Sequence, residues 1–197
     1  MTRAGALSPL RKAVAATMTA SAAIPQFTLE ARACVPVRPD SSVEDVVIAS
    51  AARALAAHPR LNASFRDGID EHSKINVGVA IALDDGIVAP AILGADTLSL
   101  NDIRSERRRL VTAARSGTLR PAELYSSTFT ISNLGGHGIP RFQALVIPPQ
   151  AAILAVGALS RRNRMWLSLS VDHRVTDGVP AARFLNDLIG FIEGELE

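Results

Sequence analysis

The sequence is poor in the features that mark several classes of protein. Cys34 is the only cysteine among 197 residues, so neither an intrachain disulfide nor a cysteine zinc site can form. The net charge is only +2, too small for the clustered positive charge of a nucleic-acid-binding protein. No apolar run approaches the roughly 18 residues of a membrane helix. We therefore expect a cytoplasmic protein that binds neither nucleic acid nor membrane.

Apolar residues are plentiful enough to build a hydrophobic core. They make up 48% of the chain against 20% charged residues, which excludes a disordered protein. The length predicts one compact domain that spans residues 1–197. Near its start, the Ala- and Thr-rich stretch after Arg11 lacks the leucine-rich centre of a signal peptide. Ser8 as N-cap and Pro9 at the first helical position predict a folded helix there instead.

Strand patterns recur along the chain. Two apolar runs within residues 75–92 are joined by Asp84, Asp85 and Gly86, which is typical of a β-hairpin. Further strands are predicted from alternating or β-branched segments at residues 26–37, 127–133, 141–147, 151–157 and 164–172.

Helix patterns lie between these strands. Capping residues predict helices that begin after Ser42 and Ser99 and end at His58 and Gly117, and a last helix begins at about Val179. The order lacks the regular alternation of parallel βαβ units. We therefore predict an α+β fold, with a two-layer arrangement of a mixed β-sheet covered by helices.

Catalysis in this chain would rely on histidine, serine, aspartate or arginine, because no metal-ligand spacing is present. Three of the four histidines have ordinary interpretations. His58 is a helix-end residue, His72 is a surface residue in a polar turn, and His137 lies in a glycine loop. His173 differs because it follows Leu169 and Val171 in phase, on the apolar face at the end of a strand. Partial burial there favours the uncharged imidazole that a general base requires, although a lone histidine in such a place is more often a core residue.

The residues around His173 strengthen its candidacy. They form the string DHRVTDG, from Asp172 to Gly178. Asp177 is predicted to cap the last helix, a role that leaves it free to hold an arginine as well. Gly178 permits a tight junction between strand and helix.

DHRVTDG resembles the DHRxxDG signature of the dihydrolipoamide acyltransferase catalytic domains of 2-oxo acid dehydrogenase complexes, whose fold is shared with chloramphenicol acetyltransferase. Four more segments match that family in the same order. They are RKAVAATM, HPRLNASF, NVGVAIALDDGIVAPAI, and TFTISNLGG followed by IPPQAAILAVGA. The resemblance thus covers nearly the whole chain and implies a chloramphenicol acetyltransferase-like fold.

The resemblance also implies a mechanism. His173 would be the general base that deprotonates a thiol or hydroxyl acceptor, which then attacks a thioester directly. Ser132 would donate a hydrogen bond to the oxyanion. Asp177 and Arg11 would form a pair that braces the histidine loop, with Asn133 and Gly178 as further support. The implied acyl donor is acetyl-CoA or another coenzyme A thioester, without a metal. The implied assembly is a homotrimer in which adjacent subunits supply histidine and serine to one site.

The chain also departs from the family pattern. A short PVRPDSSV segment replaces a long helix, the LSRRNRMW hairpin is trimmed, and the C-terminal tail is short. No lipoyl domain precedes the first helix, so no lipoyl group is expected on this chain. These departures favour a stand-alone enzyme that acylates a small-molecule hydroxyl, as in tetronate-like natural-product biosynthesis.

Two alternatives stay open. One is the dihydrolipoamide acyltransferase core of a 2-oxo acid dehydrogenase complex. The other is a non-catalytic scaffold, against which the presence of His173, Ser132, Asp177 and Arg11 counts.

Overall fold

The computed structural model describes residues 6–36 and 41–194. Its helices are α1 (Pro9–Ala22), α2 (Val43–Ala57), α3 (Leu100–Ser116), α4 (Pro121–Tyr125) and α5 (Gly178–Glu193). Its strands are β1 (Gln26–Cys34), β2 (Ala63–Phe65), β3 (Ile69–Glu71), β4 (Val77–Val79), β5 (Ile81–Leu83), β6 (Gly86–Val88), β7 (Ala91–Ile92), β8 (Phe129–Asn133), β9 (Ala152–Val156) and β10 (Arg164–Asp172). Short 3-10 turns occur at Pro59–Leu61, Ala95–Thr97 and Gly135–His137.

The main sheet has six strands in the order β1-β10-β9-β8-β4-β7. β10 pairs antiparallel with β1 on one side and with β9 on the other. β8 pairs parallel with both β9 and β4. Parallel and antiparallel pairs therefore share one sheet, and the predicted mixed-sheet α+β fold is confirmed.

One face of this sheet is apolar and packs against the helices. Every second residue of β10, including Leu167 and Leu169, is fully buried in the main core. α5 packs against β1 and α2, and α2 packs in turn against α3. Phe184 of α5 is fully buried in the same core. Burial of such side chains contributes about 1.5–3 kcal/mol each, so this face supplies most of the stability.

The other face of the sheet carries hydroxyls and carboxylates. Ser168 donates to Glu30 at 2.9 Å, and the hydroxyls of Ser170 and Thr28 lie 3.0 Å apart. The segment at residues 141–147 lies over this face but forms no strand, which corrects the prediction. Side chains bond the backbone of Val146 instead, because Gln26 accepts from its N–H at 3.0 Å and Ser21 donates to its carbonyl at 2.6 Å.

The capping residues predicted at the helix ends are confirmed. The hydroxyls of Ser8, Ser42 and Ser99 each accept a backbone N–H three residues onward. Asp45 completes a capping box with Ser42. Gly117 ends α3 with a φ of +68°, which favours glycine.

The predicted hairpin at residues 75–92 is present but interrupted. β5 and β6 pair on either side of Asp84 and Asp85, and β4 pairs with β7 farther from the turn. The ladder is interrupted between these pairs, because Pro90 has no N–H to donate and Ala80 bonds the carbonyl of Ile131 instead.

β1 ends at Cys34, short of the predicted end at residue 37, which lies outside the described residues. Only eight residues separate Cys34 from the start of α2. In the described ranges, none of the helices is long and apolar enough to cross a membrane.

Glu123 of α4 is a fully buried carboxylate. Burial would raise its pKa, but hydrogen bonds from the backbone and guanidinium of Arg120 and from Arg109 lower the pKa from 4.5 to about 2. A carboxylate with a lowered pKa stabilises the fold above its unfolded pKa, and this contribution is lost as pH falls from 4.5 towards 2.

We therefore predict that Glu123→Gln lowers the Tm at pH 7 and that its deficit against the wild type shrinks between pH 4.5 and pH 2. Thermal unfolding followed by circular dichroism across this range measures the difference. Glu71→Gln is the control, because the pair of Glu71 with Arg60 is exposed and is expected to contribute little. A deficit for Glu123→Gln that stays constant with pH contradicts the assignment.

Candidate active site

His173 lies in the tight turn that follows β10. Its backbone N–H donates to the carbonyl of Pro25 at 2.8 Å, which holds the turn against the start of β1. Its ring packs on Phe27 with centroids 4.6 Å apart. The predicted phase is therefore correct, because Phe27 packs against the main core. The predicted burial is not observed, since the imidazole is 52% exposed in the single chain.

Asp172 and Arg174 brace this turn from either side of His173. The guanidinium of Arg174 donates to the Asp172 carboxylate at 2.7 and 2.9 Å, and its backbone N–H donates to Oδ1 at 2.9 Å. Asp172 is buried, whereas Arg174 lies over the ring of Phe65 at 4.2 Å. The hydrogen bonds that Arg174 donates to the Asp172 carboxylate raise the pKa of Arg174, so the guanidinium stays charged.

The predicted bracing by Asp177 and Arg11 is not observed within one chain. No ion pair joins these two side chains among the described residues. Asp177 does occupy the N-cap position of α5, but its side chain makes no capping bond and is 82% exposed. Its Oδ1 lies 3.4 Å from Nδ1 of His173 instead. Gly178 begins α5 without a left-handed φ, and a Cβ there would meet no atom within 4 Å, so the junction does not require glycine.

Ser132 and Asn133 are the last two residues of β8. Ser132 is half-buried, and within the described part of the chain its hydroxyl has no hydrogen-bond partner. Asn133 Oδ1 accepts the N–H of Gly135 at 2.8 Å and so shapes the turn that follows. The hydroxyl of Ser132 is therefore available to a ligand, and the predicted supporting role of Asn133 has a geometric basis.

His173 and Ser132 lie far apart within one chain. Ser132 pairs with Ala155 in β9, whereas Val171 pairs with Ala152, so His173 lies beyond the other end of β9. Five residues along a strand and two strand spacings separate the two positions by roughly 15–20 Å. Ser132 also lies on the polar face with Thr130, whereas His173 lies on the apolar face. One chain alone does not bring them together.

The other histidines have structural contacts. His58 follows α2, and its Nε2 lies 2.7 Å from a carboxylate oxygen of Asp187 in α5. His72 is half-buried, with Nε2 2.7 Å from the hydroxyl of Ser64. His137 is exposed in the glycine turn that follows β8.

An open groove of about 360 Å³ adjoins the histidine turn without including His173 or Ser132. Ser64, Arg66, His72 and Lys74 contribute to its wall. It is next to the histidine turn because Phe65, beside Arg66, packs under Arg174. Arg66 and Lys74, the two cations of this wall, could not be predicted as binding residues, since nothing in the local sequence pattern distinguishes them from solvated surface charges.

The catalytic-domain model of the 2-oxoacid dehydrogenase acyltransferases matches residues 2–197. The chain belongs to this family. The dihydrolipoyllysine-residue acetyltransferase component of the pyruvate dehydrogenase complex of Rickettsia bellii is 40% identical over 77% of this chain and 39% of its own length. The chain therefore spans well under half the length of the curated relatives that it matches.

Solved structures agree with the family membership. The cubic core of a pyruvate dehydrogenase multienzyme complex matches with a TM-score of 0.91 and 26% identity, over 98% of this chain and 92% of that one. The Azotobacter vinelandii dihydrolipoamide acetyltransferase matches with a TM-score of 0.91 and 25% identity, over 98% of this chain and 92% of that one. That structure was studied for the role of one serine, one histidine and one asparagine in the catalytic mechanism. Chloramphenicol acetyltransferase matches with a TM-score of 0.56 and 12% identity, over 92% of this chain and 94% of that one. This likeness shows the fold alone.

These comparisons correct the functional prediction. The predicted acyltransferase class is confirmed by the family. The expected stand-alone enzyme of natural-product biosynthesis is wrong, because the relatives are components of pyruvate dehydrogenase complexes. Neither the short connection before α2 nor the short β9–β10 hairpin therefore indicates a stand-alone enzyme. The described residues form a complete six-stranded sheet.

We predict that Asp172→Asn destabilises the protein by about 1–3 kcal/mol, because it weakens a buried, charge-assisted contact. Asp177→Asn is the matched variant and leaves the free energy of unfolding nearly unchanged, because the Asp177 side chain is 82% exposed. Urea unfolding of both variants measures the difference. Equal destabilisation by the two variants would contradict the assignment of the brace to Asp172.

Proposed function

We propose that this chain is the catalytic domain of a dihydrolipoyllysine-residue acyltransferase of a 2-oxoacid dehydrogenase complex. It moves an acetyl or other small acyl group between a dihydrolipoyl thiol and coenzyme A. The proposal is supported by the family and by the named activity of its relatives. Residues 1–197 form one domain in this proposal, and the lipoyl group belongs to a separate segment.

The separation of His173 from Ser132 within one chain is the structural observation that supports this proposal most directly. A base and an oxyanion donor must both lie within hydrogen-bond distance of the reacting atoms. Side chains roughly 15–20 Å apart on opposite faces of a sheet cannot meet this condition in one protomer. A second copy therefore supplies one of the two, and a closed homotrimer repeats that contact three times. The exposure of His173 supports such an interface, since a neighbouring subunit would cover the ring.

In the acylation direction, His173 accepts the thiol proton of the dihydrolipoyl group as the sulfur attacks the thioester carbonyl. Carbon–sulfur bond formation places a negative charge on the carbonyl oxygen, to which the hydroxyl of Ser132 donates. Collapse of the tetrahedral intermediate breaks the bond to the coenzyme A sulfur, and the imidazolium returns its proton to that thiolate. The reverse direction uses the same groups, with coenzyme A as the attacking thiol.

Asp177 supports the imidazole in this scheme. Its carboxylate lies 3.4 Å from Nδ1, which leaves Nε2 to take the proton and stabilises the imidazolium that forms. The Azotobacter enzyme is studied for an asparagine four residues after its histidine, the separation between His173 and Asp177. Both residue types can accept a hydrogen bond from Nδ1.

The groove beside the histidine turn supports a coenzyme A donor. Arg66 and Lys74 are exposed there, and in the described ranges neither side chain has an acidic partner. Two cations at the mouth of a site match the phosphates of coenzyme A, whose thiol end would extend towards His173.

We predict that the protein releases coenzyme A from acetyl-CoA in the presence of dihydrolipoamide and that His173→Ala slows this turnover by at least ~10²-fold. Ser132→Ala is expected to slow it by ~10²–10³-fold with little change in donor binding. A thiol-specific dye follows release of the product. Turnover with small alcohols but not with dihydrolipoamide contradicts the proposed acceptor.

A mixing experiment tests the shared site. Chains that carry His173→Ala and chains that carry Ser132→Ala are unfolded together at equal concentration and refolded. Random assembly places an intact histidine beside an intact serine at about a quarter of the trimer interfaces, so about a quarter of the wild-type rate returns. Separately refolded variants mixed afterwards are the control. Absence of recovery, with trimers confirmed by light scattering, contradicts a site shared between subunits.

A further inference from the structure

The plane of the His173 imidazole is not set by the turn that carries it. Rotation about the bond between Cβ and the ring is broad and roughly two-fold for histidine, so neighbouring groups decide the orientation of the ring. The backbone hydrogen bond from His173 to Pro25 fixes the turn but does not act on this rotation. The side chains that contact the ring therefore determine where Nε2 lies.

Asp177 holds the imidazole only loosely within one chain. Its Oδ1 lies 3.4 Å from Nδ1 of His173, beyond the roughly 2.7–3.2 Å of an ordinary hydrogen bond to nitrogen. The carboxylate is largely exposed and makes no capping bond to α5. It therefore selects which ring nitrogen faces it, but it follows the ring when the ring turns.

Phe27 provides the firmer contact. Its ring centroid lies 4.6 Å from that of His173, with the two planes tilted by 54°, which is a favourable geometry for neighbouring aromatic rings. Phe27 lies opposite Val171 in the ladder of β1 and β10, and it packs against the main core. The sheet thus fixes the position of the ring against which the imidazole rests.

The residues on either side of Phe27 are anchored on the polar face of the sheet. The side chain of Gln26 accepts the N–H of Val146 at 3.0 Å. The hydroxyl of Thr28 lies 3.0 Å from that of Ser170. The start of β1 is therefore held by polar bonds on one face and by the packing of Phe27 on the other.

Stability alone does not require an aromatic ring at this position. β1 is an edge strand of the described sheet, and Phe27 is only half-buried in it. An aliphatic side chain of similar size would fill the same apolar space at a small cost. What the phenyl ring adds is a flat face, against which an imidazole has fewer orientations than against branched methyl groups.

We infer that Phe27 is a positioning residue for His173, an inference that rests on the acyl transfer proposed above. Its ring limits rotation of the imidazole, so that Nδ1 stays beside Asp177 and Nε2 stays on the opposite side, where it takes the thiol proton. Asp172 and Arg174 fix the backbone of the turn, and Phe27 fixes the ring that the turn carries.

Two substitutions at Phe27 separate positioning from packing. Phe27→Tyr keeps the aromatic face, whereas Phe27→Leu keeps an apolar side chain without it. We expect Phe27→Leu to lower kcat with dihydrolipoamide roughly 10-fold with KM for acetyl-CoA unchanged, because the base is misoriented while the donor still binds. Phe27→Tyr is expected to retain most of the wild-type kcat.

Phe191→Leu is the matched control. Phe191 is also half-buried against the main core, and the guanidinium carbon of Arg53 lies 4.7 Å from the centre of its ring. It lies near the end of α5 that is farther from Asp177. Its substitution should lower the Tm about as much as Phe27→Leu does, without changing kcat.

Relaxation of the His173 ring provides a readout that does not depend on the acceptor. In protein labelled with ¹³C at histidine Cε1, the His173 signal is the one that is absent from His173→Ala. We expect the order parameter of this Cε1–H bond to be lower in Phe27→Leu than in the wild type. It should be unchanged in Phe27→Tyr and in Phe191→Leu.

If the wild type is active, equal kcat or equal order parameters in Phe27→Leu and Phe27→Tyr overturn the inference. A wild-type protein that is inactive with dihydrolipoamide contradicts the proposed function instead. In that case, the order parameters still decide whether Phe27 holds the imidazole.

Discussion

The pairing of β10 with a strand on each side is the constraint on which the rest of the structure depends. Nine residues of β10 pair with β1, and five of them pair with β9 as well, so the strand cannot shift by one residue without breaking two ladders. Its alternate residues fill the main core, and a one-residue slip would expose Leu167 and Leu169 together. This register fixes where the strand ends, and it therefore fixes the position of His173.

Features encoded by neighbouring residues could be predicted from the sequence. Ser8, Ser42 and Ser99 cap helices because their partners lie three residues away. The segment at residues 141–147 could not be predicted, because the side chains that bond Val146 belong to Ser21 and Gln26, which are more than 100 residues distant. The interruption at Pro90 could have been predicted, since proline never donates to a ladder.

The candidate active site could be predicted from the sequence to a similar extent. Two motifs predicted His173 and Ser132 as candidates, and strand phase predicted that His173 lies on the apolar face, where its ring packs on Phe27. The bracing partner was assigned to Asp177, whereas the buried residue Asp172 has that role within the chain. Asp172 and Arg174 flank the histidine in sequence, so their contact could have been predicted from their spacing. The exposure of His173 could not be predicted, because it depends on which surfaces the helical layer leaves uncovered.

Both proposed catalytic groups lie beside turns that polar side chains hold. Arg174 and the buried Asp172 fix the turn of His173, and Asn133 Oδ1 accepts the N–H of Gly135 in the turn after Ser132. Apolar packing would have stabilised either turn at a lower cost of desolvation, but it would not have fixed the backbone from which the catalytic side chain extends. In the proposed assembly, each turn presents a polar group at the end of a strand to a site that another subunit completes. Neither group is enclosed by its own chain, so its orientation must be set before assembly. Directional hydrogen bonds meet that requirement at the backbone of each turn, because they hold one geometry where apolar contacts tolerate several.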